Sequence, residues 1–367
     1  MGAKTGSTWR LIDPGHLRAH ENMAWDAALL EVMSQTEGEP LFRFEEFRPR
    51  AVLVGFHQDV EQEVNLAYCR QHGLEVNRRL TGGGAIYEDE SQVGWELVAK
   101  RDDPALPWDR RALFEVCCRA VAAGLKELGV EARFRPKNDI EVGGRKISGT
   151  GGTDLGDALL FHGSLLVDLD VETMVRSLKI PAEKLKDKAV SSTKERVTCL
   201  AWELGEIPPR PVIKQAILNG FRKILGIQFV PGDFSAQEKA CYRKLAPYYA
   251  SADWVYQIRK KTATSMVTAM RKTPGGLINL AVSVNVPAKR IKQALITGDF
   301  FCIPPRAILD LESRLKDLPY EQETISEVIQ EFFRKAEIPG VTPEDFLHLF
   351  QEAKKFFSGK GETASGG

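Results

Sequence analysis

The 367-residue sequence contains no GxxxxGK[ST] run and no GxGxxG opening a helix after a strand. The two common phosphate loops are therefore excluded, and any nucleotide needs another scaffold. There is no CxxC pair and no HExxH. The six cysteines, Cys69, Cys117, Cys118, Cys199, Cys241 and Cys302, are expected to be reduced structural thiols without a zinc site. Neither sign of charge is in excess, with 50 basic and 50 acidic residues. Nucleic-acid binders generally carry a basic surplus, so that class is disfavoured. No window approaches about eighteen uncharged apolar residues, so no membrane span is expected. The opening MGAKTGSTWRLIDPG lacks a hydrophobic signal core, and a cytoplasmic protein is expected. The closing GKGETASGG reads as disordered, with the tail set at 361–367.

What is present is ordinary globular material: 43% hydrophobic and 27% charged residues, enough for full cores without staples. The length suggests two domains. His20–Met33 reads as a helix with Met23, Ala27 and Leu30 on one face. Strand-like runs follow at Leu41–Phe44, Ala51–Gly55, Leu74–Arg78, Ala85–Tyr87 and Val93–Ala99. Trp108–Leu128 is helical, Asp139–Val142 and Arg145–Ile147 form a hairpin about Gly143-Gly144, and Leu159–Leu169 is a strand. Val171–Leu178 and Arg210–Leu225 are helices. A compositional change spans Val230–Trp254, and a small α+β region with amphipathic helices at Pro304–Leu315 and Thr324–Phe333 follows.

Four segments carry candidate chemistry. The first is Arg78–Tyr87, RRLTGGGAIY. Three consecutive glycines lose much backbone entropy on folding, so something must approach closely or φ must be positive. With Arg78 and Arg79 alongside, a phosphate is one visitor the run suits; a flexible turn with solvated arginines is the other reading. The second is Lys137–Gly152, KNDIEVGGRKISGTGG, where a tight glycine turn presents Arg145 and Lys146. Lys146 can sit over a phosphate or carboxylate, or be an exposed turn lysine. The third, LFHGSLLV, places His162 in an apolar strand, as a core residue or a site residue. The fourth is Val190–Leu200, VSSTKERVTCL, a hydroxyl-rich loop that closes over a nucleotide or is a solvated turn.

In this order the four segments resemble the lipoate–protein ligase family, and the strand end VGFHQD, with Gly55 and Gln58, is similar to it too. The resemblance runs from about Trp9 to Leu225. TPGGLINLAVSVNVPAKRIKQALITGDFF and PPRAILDLESRL resemble the family's C-terminal accessory domain. The implied fold is α+β: a class II biotin/lipoyl-ligase-like catalytic domain over 1–240, with a mixed, mostly antiparallel sheet and flanking helices. A small α+β domain over 241–360 follows. The implied activity has two steps. Lipoate attacks the α-phosphate of ATP to give lipoyl-AMP and pyrophosphate, and a lysine of a lipoyl carrier domain then takes the acyl group.

The resemblance makes Lys146 the catalytic residue, contacting both the lipoyl carbonyl and the adenylate phosphate. It assigns the nucleotide to Arg79, Thr81, Gly83, Gly84, Ala85, Ile86, Tyr87, Asn138, Asp139 and Lys146, with Mg²⁺ on Asp139. Lipoate is assigned to Lys146, Gly82, Gly83 and His162. Phe44, Phe47, Val54 and Phe56 are candidates for its apolar tunnel, with core packing an equal reading of each. The implied carrier is a glycine-cleavage H-like or dehydrogenase E2-like protein; no nucleic acid or membrane is implied, and a monomer is expected. A hinge is expected over Val230–Trp254. Thr81 replaces the family's usual serine, Glu88 stands where a histidine often follows the aromatic, and Cys199 stands where asparagine is usual. The rivals are an ATP-independent octanoyltransferase, a biotin ligase and a noncatalytic lipoyl-domain binder. The octanoyltransferase relatives carry their cysteine shortly before the ND segment, where this chain reads EARFRPKND.

Overall fold

The computed structural model describes residues 7–136, 138–179, 190–191, 193–258 and 266–358. Lys137, Ser192 and the tail 361–367 lie outside them. The chain forms two compact units. One comprises Met1–Leu53, Val64–Asn77 and Ile86–Trp254, and the other Val54–Glu63, Arg78–Ala85 and Val255–Gly367.

In chain order the elements begin with β1 (Thr8–Ile12), β2 (His16–Leu17), α1 (Ala19–Gln35), β3 (Leu41–Phe47) and β4 (Ala51–Val54). Next come α2 (Val60–Glu63), α3 (Leu66–Gln71), β5 (Glu75–Arg78), β6 (Ile86–Glu88), β7 (Val93–Lys100) and α4 (Arg110–Glu127). β8 (Arg133–Arg135), β9 (Asp139–Val142), β10 (Arg145–Leu155) and β11 (Ala158–Leu165) follow. Then come α5 (Val171–Ser177), α6 (Leu200–Leu204), α7 (Arg210–Leu225), β12 (Gln228–Pro231), α8 (Ala236–Tyr249) and α9 (Ala252–Val255).

The main sheet runs β12-β1-β3-β7-β11-β10-β9-β8, with β2 beside β3. The β1–β12, β1–β3 and β2–β3 pairs are parallel, and the run from β3 to β8 is antiparallel. This is the expected mixed, mostly antiparallel sheet. Both of its faces are covered, which is why β3 reads LFRFEEF with every residue buried. Phe42 and Phe44 face α4 and α7, in a core with Trp95, Phe161, Val121 and Phe221. Leu41 belongs instead to the core beneath α1, with Leu29, Met33, Val98 and Leu160. α4 and α7 touch backbone to backbone: a Cβ on Gly220 would lie 1.9 Å from the Ala120 carbonyl oxygen.

The stretch expected to hinge is folded into the first unit. Trp25 of α1 stacks on Phe234 (centroids 3.6 Å apart) and on Tyr242 of α8 (4.2 Å). Arg10 holds the same stretch through the Asp233 carbonyl (2.8 Å) and the Glu238 carboxylate (2.9 Å). Its many polar residues mark the outer face of a docked helix, and aromatic stacking supplies the attachment.

The second unit contains the antiparallel sheet β13 (Val267–Thr273), β14 (Gly276–Asn285) and β15 (Arg290–Gly298). It also contains α10 (Ala307–Leu315), α11 (Gln322–Lys335) and α12 (Pro343–Ser358). Ile278, Leu280, Ile296, Phe300, Leu311, Ile329 and Phe346 form its core. β15 is an edge strand, and the carboxylate of Glu312 on α10 accepts the Ile296 amide at 2.6 Å, supplying a partner that no strand provides.

Burial pushes the Glu312 carboxyl up to about 7. The folded state then keeps a proton that the unfolded chain releases nearer pH 4.5, so stability is full below that value and falls as pH rises towards 7. Glu312→Gln keeps an acceptor oxygen and does not titrate. Its urea midpoint is expected to fall less than the wild type's between pH 5 and pH 8. Parallel midpoint curves for the two proteins would exclude this titration.

Candidate active site

The first unit carries the Lys146 hairpin. Gly143 and Gly144 turn it with φ of 56° and 83°, a left-handed pair that only glycine enters without strain. β9 and β10 pair Lys146 with Glu141, then Ser148 with Ile140 and Gly149 with Asp139, so one extra residue is inserted at Ile147. Directly paired residues share a face of the sheet and successive residues alternate. The bulge therefore places Lys146 on the face of Asp139, Glu141 and Gly149, opposite the buried Ile140 and Ser148. The Lys146 ammonium ends 2.7 Å from the Asp139 carboxylate, and the side chains are 37% and 24% exposed. A half-exposed cation beside one carboxylate can receive an anionic ligand without first being dug out of the core.

The rest of the hairpin is tightly bonded. The Asn138 carbonyl accepts from both the amide and the hydroxyl of Thr150 at 2.9 Å, and the Asn138 side-chain amide donates to the Thr150 carbonyl at 2.8 Å. The hydroxyl-rich loop pairs with the lysine's own main chain. The Lys146 amide donates to the Arg196 carbonyl and the Thr198 amide to the Lys146 carbonyl, both at 2.8 Å. Arg145 meets Glu203 at 2.7 Å, and the Thr198 hydroxyl bonds the same carboxylate. Both segments stand out in the sequence but their pairing does not, because a single parallel bridge leaves no periodic trace.

His162 stands opposite Glu96 and Gly151 on the neighbouring strands, and Glu96 stands opposite Arg43. The result is a polar row under α1. The fully buried Arg43 guanidinium bonds Glu96 (2.5 Å), Asp26 and the Asn22 side-chain Oδ1 (3.2 Å), with Glu45 at 4.0 Å. His162 Nδ1 lies 3.9 Å from Glu45. Burial and the neighbouring carboxylates raise the Asp26 carboxyl well above its ordinary range, and burial raises Glu96. Ligand atoms of Asp26, Glu45 and His162 lie within 4.8 Å of one another, but the Arg43 guanidinium already supplies the cation for this group. Phe44, a tunnel candidate, packs in the core against Phe42 with centroids 5.5 Å apart, and Phe47 is also buried.

The second unit carries the glycine segment. Arg78, which beside Arg79 suits either a phosphate or a solvated turn in the sequence, is a structural clamp. Its guanidinium is buried and donates to the carbonyls of Gly55 (3.0 Å), Phe56 (2.8 Å), Gln58 (2.6 Å) and Val255 (2.9 Å). Five donors in a planar fork suit converging carbonyls as well as phosphate, and the sequence does not separate the two uses. Arg79 is buried as well and donates to the Gly82 and Gly84 carbonyls at 3.1 and 2.9 Å. The Thr81 carbonyl accepts from the Phe56 amide at 2.9 Å.

The glycines answer to the chain itself. A Cβ on Gly82 would lie 2.4 Å from the Phe300 carbonyl oxygen, and the Gly83 amide donates to that oxygen at 3.3 Å. Gly83 has φ of +94°. A Cβ on Gly55 would lie 1.9 Å from the Gly83 carbonyl oxygen, and the Gln58 side chain takes the Gly55 amide at 2.9 Å. Next to Gly55, Phe56 is half-buried and edges onto His57 (5.0 Å), while Val54 is buried. His57 is fully buried and stacks on Phe300 at 4.9 Å. Burial, then the Arg78 charge, push its imidazole down to about 3, so it is neutral.

Tyr87 and Glu88 belong to the first unit, on β6 opposite Val52 and Ala51. Both are buried, and burial raises the Tyr87 phenol.

The sequence from 18 to 222 matches the model of the lipoyl protein ligase A/B catalytic domain, and 265 to 350 matches that of the bacterial lipoate protein ligase C-terminus. The chain belongs to the lipoate–protein ligase family. Among family members, the octanoyltransferase LipM of Moorella thermoacetica is 32% identical over 267 residues, 68% of this chain and 97% of the relative. The lipoate-protein ligase LplJ of Bacillus subtilis is 28% identical over 302 residues, 82% of this chain and 87% of the relative. The bi-partite lipoate protein ligase of Thermoplasma acidophilum, solved in a study with its E2 lipoyl domain, superimposes with a TM-score of 0.62. It is 29% identical and covers 70% of this chain and 99% of its own. Relatives of this family member thus include both ligases and octanoyltransferases. Among the described residues no helix is long and apolar enough to cross a membrane.

Proposed function

We propose that this family member is an ATP-dependent lipoate–protein ligase that forms lipoyl-AMP and then acylates a lysine of a lipoyl carrier domain. The observation that carries the reading is the state of its thiols. An acyl-thioester route needs an accessible thiolate of lowered pKa. All six cysteines are shifted the other way, each by burial: Cys69 and Cys199 to about 11, Cys118 and Cys302 to about 12, and Cys117 and Cys241 upward as well. Five of the six are buried outright. An adenylate route needs instead a cation where carboxylate and phosphate meet, and Lys146 offers one.

On this reading the Lys146 ammonium offsets the repulsion between the lipoate carboxylate and the α-phosphate. It then stabilises charge on the departing phosphate as the carrier lysine attacks. Asn138, Asp139, Arg79, Thr81 and the Gly83–Tyr87 segment are the proposed nucleotide residues, and Gly82, Gly83, His162 and Phe56 the proposed lipoate residues. Asp139 offers one carboxylate beside the lysine, which fits a Mg²⁺ ion taking its other oxygens from phosphates and water. Bound there, the ion would neutralise phosphate charge. An E2-like lipoyl domain is the proposed carrier, in keeping with the Thermoplasma ligase.

The test is pyrophosphate release with ATP, lipoate and a lipoyl domain, with the carrier weighed by mass spectrometry. Release matched to carrier acylation is expected. Acylation from an octanoyl thioester without ATP, lost on replacing a single cysteine by serine, would establish the transferase reading that the LipM relative favours.

A further inference from the structure

We infer that Gly149 is a positioning residue for Lys146, its missing side chain being the seat on which the ammonium rests. This rests on the ligase reading of Lys146 and adds a determinant to it. Gly149 has no left-handed φ, so its backbone suits any residue. The constraint is space. A Cβ built on Gly149 would stand 2.7 Å from the Lys146 Nζ and 2.9 Å from its Cε, with the Asp139 carboxylate oxygen next at 3.9 Å. No backbone atom is among the three nearest atoms within 4 Å. In contrast, Gly55, Gly82 and Gly220 are held to glycine by carbonyl oxygens.

Two features of the hairpin combine here. The bulge at Ile147 turns Lys146 onto the face of the Gly149–Asp139 pair. Gly149 then lets the side chain lie down across that pair, close enough for Nζ to reach Asp139 at 2.7 Å. Main-chain bonds to the Arg196 carbonyl and from the Thr198 amide fix the start of the side chain, so the seat fixes its end. A methyl group on the seat would lift the ammonium by roughly 1 Å, the distance from 2.7 Å to ordinary van der Waals contact. A misplacement of about 1 Å at a reacting centre costs on the order of a hundredfold in rate.

Gly149→Ala is measured in lipoate-dependent ATP–pyrophosphate exchange. The expected result is a kcat about a hundredfold lower, with the KM for ATP and lipoate changed by less than about threefold and the urea midpoint held. In a Lys146→Ala background the same substitution is expected to add nothing, because the group it displaces is gone. A second readout is independent of activity: labelling of Lys146 by an amine-acylating reagent, read by peptide mass spectrometry, should rise as the Asp139 pair opens. Wild-type exchange and labelling in Gly149→Ala would overturn the proposal, as would a full-sized effect that persists without Lys146. If Gly149→Ala misfolds, the double variant Lys146→Ala/Gly149→Ala decides. Recovery of folding supports the seat, and continued misfolding overturns it. Wild-type protein that shows no exchange would count against the ligase reading alone, and the labelling would still test the seat.

Discussion

Lys146→Ala is expected to lower ATP–pyrophosphate exchange by two to three orders of magnitude while leaving the urea midpoint nearly unchanged. The two halves of this expectation have separate physical grounds. Removing one preorganised positive or hydrogen-bond-donating group from a site of developing charge typically costs about 10²–10³ in rate. The stability side is small because the side chain is 37% exposed and, among the described residues, its ion pair is with a partly exposed carboxylate. Pairs of that kind contribute roughly 0–1 kcal/mol. The fold of the hairpin depends on other groups, namely the Gly143-Gly144 turn and the Asn138–Thr150 bonds. Exchange kinetics on the variant, run beside a urea titration, check both parts. A collapsed midpoint would show that Lys146 is structural, and retained exchange would remove it from the chemistry.

The largest stability effect is expected at Arg43. Replacement by leucine leaves Asp26, Glu96 and Glu45 buried together without the guanidinium that balances them. Breaking a buried ion pair from one side costs about 3–5 kcal/mol, since the stranded charge stays out of water. The sign with pH follows from the carboxyls. Asp26 and Glu96 are already raised by burial, and Arg43 is the main group that lowers them. Without it their folded pKa values rise further above the unfolded ones. Their contribution is then full below the unfolded values near 4 and is lost as pH rises through the folded ones. The difference in unfolding free energy between wild type and Arg43→Leu should therefore be smaller at pH 5 than at pH 8. Urea titrations at the two values measure it, and a gap that widens toward acid would contradict this account.

The sequence made the elements legible where hydrophobic period and turn chemistry agree. α1, β7, α7 and the β9–β10 hairpin fall within a residue or two of their expected limits, except that β10 runs on to Leu155. What it could not convey was side-chain partnership at long separation. Arg78 and Arg79 look alike in a string, yet one clamps four carbonyls and the other bridges its own glycine loop. His162 reads as a lone histidine in an apolar strand, and only the register of β3, β7 and β11 aligns it with Glu96 and Arg43. Phe44 fits a tunnel or a core equally well until its neighbours are known, and they include Phe42 and, on the paired strand, Trp95. The polar stretch at 230–254 suggested a joint because its attachment rests on Trp25, more than two hundred residues earlier.

The Arg78 clamp bears on how this polypeptide can be cut. Its guanidinium is shared between the Gly55–Gln58 loop and Val255, where the second unit's long C-terminal segment begins. A fragment ending at Trp254 would strand a buried cation next to empty space, and a fragment starting at Val255 would bring an unclaimed carbonyl. Severed there, the two pieces would each be poor solitary proteins and good partners for one another. Co-expression, rather than separate purification, is the route by which a split version should regain solubility.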